Sequence, residues 1–216
     1  MEKTRDFSVF YGKDYELIPT LLNIHCESNN PLILDCTANT GKMWKNLKYK
    51  LIRMDINEEF KPDIVGDFNN IPFKDNMFDV LVFDPPHLPT NACSKNSSKI
   101  YEKSYGITNN SGVGRDGDNV SEMFKSFLQE AKRVLKNGGI ILAKIADLIH
   151  NHRYQWQHVD FINYVKQENM TPCDMMIKSD PNAGHLKSSK WINVKHLRKN
   201  HCFWIVVRNS DKCESN

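Results

Sequence analysis

The apolar run Val80-Leu81-Val82-Phe83 stops at Asp84-Pro85-Pro86-His87, and this junction is where chemistry is most readily placed. Two consecutive prolines donate no N–H and fix φ, so a β-ladder cannot continue through them. A strand that ends here leaves the Asp84 carboxylate at its carboxyl edge and the Pro85 carbonyl outside the ladder. Two such acceptors side by side suit an exocyclic amino group, taking its hydrogens while its nitrogen faces an incoming group. In open α/β sheets that edge is where ligands bind.

Three other acids end predicted strands. Asp35 closes Pro31-Leu32-Ile33-Leu34-Asp35 and leads into Cys36-Thr37-Ala38-Asn39-Thr40-Gly41. A strand, a turn of small residues and a helix form a nucleotide-type crevice. With a single glycine the turn makes a poor diphosphate cradle, since Gly-x-Gly-x-x-Gly is what lets backbone approach a pyrophosphate. It leaves room for an amino-acid or sulfonium group. Asp55, followed by Ile56, ends the next strand and can accept both hydroxyls of a ribose. Asp67 can bond an adenine amino group while Phe68 packs on the ring. Each acid alone reads as a surface or capping residue; their recurrence at successive strand ends gives the pattern its weight.

The elements that position these residues follow from periodicity. Leu17, Leu21, Leu22 and Ile24 predict a first helix, and a second carries Met43, Trp44 and Leu47. Strands are expected at residues 31–35, 49–56, 63–65, 79–83, 140–145, 171–177 and 201–207. Phe124, Phe127, Leu128, Ala131, Val134 and Leu135 form a helical stripe that Asn137-Gly138-Gly139 should stop. Val159, Ile162 and Val165 mark another helix. Alternating strands and helices predict an α/β fold: a doubly wound, mostly parallel, seven-stranded Rossmann-like sheet with an antiparallel last strand and helices on both faces. The 216 residues form one domain, 1–216. Two interruptions stand out, a polar loop at 94–118 expected to be mobile and a basic insertion at 180–200.

Composition narrows the class. A 40% apolar and 25% charged chain is ordinary for a soluble globular protein. Six scattered cysteines, without a Cys-x-x-Cys pair, oppose a zinc site and a disulfide scaffold. No apolar run approaches the roughly 18 residues of a membrane span. These features give the expectation of a cytoplasmic protein with reduced core thiols and no metal. His150, His152 and His158 lack acidic or cysteine companions in sequence and read as polar residues at a helix start.

The residues Leu34-Asp35-Cys36-Thr37 to Gly41, Asp55, Gly66-Asp67-Phe68-x-x-Ile71-Pro72-Phe73, Phe78 to His87, and Arg133-Val134-Leu135-Lys136-x-Gly138-Gly139 together resemble the class I S-adenosylmethionine-dependent methyltransferases. The resemblance spans Leu32 to Ile145. It is nearest to the Asp-Pro-Pro-Tyr amino-methyltransferases of nucleic acids, in particular compact DNA adenine-N6 or cytosine-N4 enzymes, with the Asp-Pro-Pro-His variant of small phage-associated proteins. It implies S-adenosyl-L-methionine as cofactor, with Asp35, Thr37, Ala38 and Gly41 at its methionine part, Asp55 and Ile56 at the ribose, and Asp67 and Phe68 at the adenine. It also implies that Asp84 and the Pro85 carbonyl hold the target amine, with Pro86 and His87 completing the catalytic turn. Where many relatives carry a stacking aromatic, this chain has His87. Phe10-Tyr11-Gly12 resembles the N-terminal segment that closes over the methionine end.

Recognition must come from loops, because no room remains for a separate target-recognition domain. No acidic residue lies between Asp180 and Asp211, and His185, Lys187, Lys190, Trp191 and Lys195 combine rings with cations that can stack on bases and hold phosphates. A solvated connection between strands has the same composition. The expected partner is a nucleic acid, DNA ahead of RNA. The alternatives are methylation of an RNA base (guanine N2 or adenine N6) and a non-catalytic, methyltransferase-like partner subunit. The sequence does not fix an oligomeric state.

Overall fold

The computed structural model describes residues 8–86, 117–150, 153–179, 197 and 199–210. Chain order is β1 (Val9–Tyr11), α1 (Asp14–His25), β2 (Leu32–Asp35), β3 (Lys50–Asp55), β4 (Ile64–Val65), β5 (Phe78–Phe83), α2 (Gly117–Val134), β6 (Leu135–Ile145), β7 (Leu148–His150), β8 (Arg153–Gln155), α3 (Gln157–Gln167), β9 (Thr171–Ser179) and β10 (His201–Arg208). Eight strands form one sheet in the order β1-β9-β10-β6-β5-β2-β3-β4, and β7 and β8 form a separate hairpin. All seven expected strands are present, and β1 adds an eighth at one edge, parallel to β9. The pairs β2–β3, β2–β5, β3–β4 and β5–β6 are parallel, whereas β10 runs antiparallel to both β6 and β9. The carboxyl ends of β2, β3, β5 and β6 therefore share one edge with the start of β10.

Alternation along the central strands supplies two cores. Leu34, Leu81 and Phe83 face Phe124, Phe127, Leu128 and Ala131 of α2 and Phe161 and Val165 of α3. Ile33, Val80 and Val82 face Leu17, Ile18, Leu21 and Leu22 of α1. Phe83 stacks on Phe127 with ring centroids 3.7 Å apart, which ties α2 to the strand that carries Asp84. Burying one such ring contributes roughly 1.5–3 kcal/mol.

Four local expectations are corrected. The chain after Gly41 makes a single 3-10 turn, Lys42–Trp44, instead of a helix, because the buried Trp44 indole is drawn onto Asp35. Residues Asn137-Gly138-Gly139 lie within β6 rather than capping α2, and Gly138 adopts φ 77°. The β5–β6 register shifts between Phe78 and Val80. A Cβ on Gly139 would stand 3.0 Å from the Lys136 carbonyl and 3.1 Å from that of Asp79 in β5, so the tight packing there favours glycine. In α3 the buried stripe is Gln157, Phe161 and Val165, and Val159 is exposed. Finally, Cys26, Cys36 and Cys202 are free thiols, but Cys173 in β9 is disulfide-bonded, so not every cysteine is a reduced core residue. No helix among the described residues is long and apolar enough to cross a membrane.

Candidate active site

A cavity of about 320 Å³ opens at the carboxyl edge of the sheet. The ends of β2, β3 and β5 build its floor. The turn after β2 folds over the end of β3: the Ala38 N–H donates to the Met54 carbonyl at 3.0 Å and the Asn39 N–H to Asp55 Oδ2 at 2.7 Å. Gly41, at φ 69°, makes the reversal that ends this turn. The cavity is walled by Cys36, Thr37, Ala38 and Asn39 on one side, Asp55 and Ile56 on a second, and Asp67, Phe68 and Asn69 on a third. Asp84, Pro85 and Pro86 complete it, joined by Asp14 from the first turn of α1.

Asp35 and Gly41 do not line the cavity. Asp35 is 1% exposed, and its two oxygens accept the Trp44 indole N–H at 2.6 Å and the Thr37 backbone N–H at 3.1 Å. Burial raises its pKa to about 7, against the opposing pull of those two donors. Its influence on the site passes through Thr37, whose Oγ1 accepts the Asp84 N–H at 2.8 Å. One threonine thus couples the end of β2 to the end of β5. Asp35 thus stands behind the cavity wall and supports it through Thr37.

Asp55 does reach the cavity, with Oδ1 accepting the Asn57 N–H at 2.9 Å. Burial raises its pKa, and the N–H groups of Asn57, Asn39 and Ile56 counter that rise. Asp67 Oδ1 accepts both the backbone and side-chain N–H of Asn69, each at 2.8 Å, which orders the loop. Phe68 meets Phe83 edge-on at 5.3 Å and so presents its ring to the cavity from a fixed base. Below that loop, Arg133 of α2 donates to the Ile71 and Phe73 carbonyls, both at 2.8 Å, and forks onto Glu130.

The Asp84 carboxylate is held by Lys144 Nζ at 2.9 Å. Lys144 also reaches Asp14 Oδ2 at 3.1 Å, and Asp14 Oδ1 is met by Lys178 at 3.4 Å and the Trp204 indole at 3.3 Å. Burial alone would lower the Lys144 pKa, but Asp84 and Asp14 together raise it, so the ammonium persists. Sequence reasoning misses both Lys144 and Asp14. One signal is present: Lys144 is a lone cation inside the apolar run Ile140–Ile145, and a buried lysine almost always has an acidic partner.

Among the residues expected to act, Thr37, Ala38, Asp55, Ile56, Asp67, Phe68, Asp84, Pro85 and Pro86 converge on one cavity. His87, the loop 94–118 up to Asp116, and His185, Lys187, Lys190, Trp191 and Lys195 lie outside the described residues. Phe10 and Tyr11, in the segment expected to close over the methionine end, lie in edge strand β1 beside β9. His158 is no isolated polar residue, since its Nδ1 lies 2.7 Å from the buried Asp147.

The sequence matches no protein-family model and no curated protein. Solved structures share the fold. A SAM-dependent methyltransferase from Methanosarcina mazei superposes with a TM-score of 0.55 at 13% identity, covering 90% of this chain and 98% of that one. A putative sarcosine dimethylglycine methyltransferase from Galdieria sulphuraria gives 0.56 at 16% identity, over 93% and 86%. The Burkholderia thailandensis 1,6-didemethyltoxoflavin-N1-methyltransferase, solved with S-adenosylhomocysteine, gives 0.53 at 9%, over 92% and 79%. The chain has the Rossmann-like fold of S-adenosylmethionine-dependent methyltransferases.

Proposed function

We propose that this protein transfers a methyl group from S-adenosylmethionine to an exocyclic amino nitrogen of a nucleic-acid base, with DNA adenine N6 or cytosine N4 ahead of an RNA base. The observation that carries this reading is the convergence of Asp84-Pro85-Pro86 with Asp55, Asp67 and Phe68 on one cavity.

The residues present fit the cofactor. Carboxylates at the end of β3 and in the loop after β4 match a ribose diol and an adenine amine, while Phe68, Ile56, Ala38 and Met43 offer apolar contact. When bound, S-adenosylmethionine supplies an electrophilic methyl on a sulfonium, so the protein's task is alignment. Asp84 and the Pro85 carbonyl accept the N–H groups of the target amine. This would favour a pyramidal nitrogen with its lone pair available to the methyl group that the cofactor would supply. As the nitrogen gains positive charge, the carboxylate stabilises it progressively, an effect worth roughly 3–4 kcal/mol for one key partner. Lys144 fixes the orientation of Asp84. The amine is acidic once methylated and sheds its proton afterwards, so no strong base is required.

The Asp84–Lys144 pair also supports a second reading, in which the acid is only a clamp and the protein a non-catalytic partner of an active subunit. Calorimetry with S-adenosylmethionine, followed by tritiated methyl transfer to DNA and to RNA with nucleoside analysis, separates the two. The expected result is binding that Asp55→Ala abolishes, and N6-methyladenine or N4-methylcytosine as product. Cofactor binding without transfer to either nucleic acid would favour the partner reading.

A further inference from the structure

Past Lys144, β6 leads within three residues to Asp147, a reach of at most about 11 Å. Asp147 is 4% exposed and organises everything around it. Its Oδ2 accepts the Tyr154 hydroxyl at 3.1 Å, and its Oδ1 accepts the His158 backbone N–H at 3.2 Å and faces His158 Nδ1 at 2.7 Å. The His158 ring stacks on Phe203 of β10 with centroids 4.1 Å apart. Hairpin β7–β8 and the first turn of α3 are thereby braced against the carboxyl edge of the sheet.

On that brace stands a ladder of rings. Trp156 packs on Tyr154 with centroids 4.0 Å apart and planes 31° from parallel. The Lys199 ammonium lies 3.9 Å from the Tyr154 centroid. Two groups this close to one centroid cannot share a face, so Trp156 and Lys199 sandwich the phenol. Trp156 is nevertheless 54% exposed, whereas Trp44 and Trp204 are 6% and 0% exposed. Leaving an indole in water forgoes burial energy, and a half-open indole packed on a phenol whose other face carries a cation has the composition of a stacking surface.

We infer that Trp156, Tyr154 and Lys199 form a platform for single-stranded nucleic acid, on which a base beside the target nucleotide stacks. The inference rests on the nucleic-acid reading above and extends it to strandedness. Position favours this occupant, because the platform is tied through β6 to the residue that grips Asp84. Charge favours it too, since Lys199 belongs to the stretch between Asp180 and Asp211 that contains no acid, complementary to a phosphate backbone. Stacking on an aromatic face requires an unpaired or splayed base, because a duplex keeps its faces covered.

The test is a titration of the full chain with a labelled single-stranded oligonucleotide and with the duplex of the same sequence. It compares wild type, Trp156→Ala and Trp156→Phe at one salt concentration, alongside S-adenosylmethionine calorimetry and transfer kinetics. Loss of one stacked base weakens single-strand binding roughly 10- to 100-fold. That loss is expected in Trp156→Ala, with most of it recovered in Trp156→Phe. KM for the oligonucleotide should rise while kcat and cofactor affinity stay near wild type. Wild-type single-strand affinity in Trp156→Ala would overturn the platform and leave the methyltransferase reading standing, as would equal dependence of duplex binding on Trp156. A wild-type protein that binds cofactor but neither nucleic acid would overturn both. Recovery of affinity with phenylalanine separates stacking from misfolding.

Discussion

Lys144 Nζ lies 2.9 Å from Asp84 Oδ2, and both side chains are largely withdrawn from water, at 18% and 24% exposure. A cation this close fixes the orientation of the carboxylate. The pairing makes Asp84 a fixed acceptor rather than a base, which matches a reaction that needs alignment more than proton abstraction.

Replacing Asp84 by asparagine keeps the shape and removes the charge. Methyl transfer should fall roughly 10²- to 10³-fold, while calorimetric affinity for S-adenosylmethionine remains. Lys144→Met should lower kcat as well, because Asp84 and Asp14 then face each other without the cation between them. Full activity in Asp84→Asn would remove the carboxylate from the mechanism.

Asp35 gives a pH dependence whose sign can be worked out. Its pKa is raised from 3.8 to about 7 by burial, so the folded state keeps a proton that the unfolded state loses near pH 4. The folded state is therefore favoured most below that point, and this contribution declines as pH rises from about 4 to about 7. Urea unfolding across that window should show a loss on the order of a few kcal/mol in wild type relative to Asp35→Asn. Parallel pH curves for the two proteins would contradict the burial of an ionisable acid here.

Arg133 reaches the backbone of residues 71 and 73 and both oxygens of Glu130 at once. A lysine has no planar fork and cannot reproduce that set. Arg133→Lys should weaken cofactor binding severalfold through the loop that carries Asp67 and Phe68, at a stability cost of about 1–2 kcal/mol. Isothermal titration and chemical denaturation measure the two effects separately. An unchanged affinity would show that the loop keeps its shape without the guanidinium.

Lys187, Lys190 and Lys195 are the cations that their sequence setting marks as candidates for holding phosphates. Their joint replacement by glutamine should weaken nucleic-acid binding and lower the slope of log K against log salt by roughly 0.7–0.9 for each phosphate no longer neutralised. An identical slope in the triple variant would return the stretch to an ordinary solvated connection.

The centre of the sheet was legible in the sequence because β2 and β5 carry apolar runs that end at an acid, as Val80–Phe83 does before Asp84. The cavity wall was legible for the same reason, since each acid marks a strand's carboxyl end. Other features depend on long-range partners and left weaker traces. Trp44 has the spacing of a helix residue, and only the buried Asp35 beside it explains the 3-10 turn. Gly138 and Gly139 have the composition of a helix stop, but the approach of Asp79 and Lys136 places them inside a strand. Asp14 lies 130 residues before Lys144 in the chain, a separation no local pattern encodes. The Tyr154–Trp156 ladder comes from a hairpin too short to show periodicity.

Strand β10 fills a slot between β6 and β9, with hydrogen bonds along both of its edges. It is also the last of the described strands to leave the ribosome. Until it emerges, β9 and its edge companion β1 have no strand through which to join the parallel half of the sheet, and β6 presents an open flank to any passing polypeptide. Assembly of this sheet is therefore a late event in synthesis, one that local contacts cannot hurry. A nascent chain stalled before His201 would hold a finished cofactor side and an unzipped far side, a form suited to capture by chaperones or to self-association.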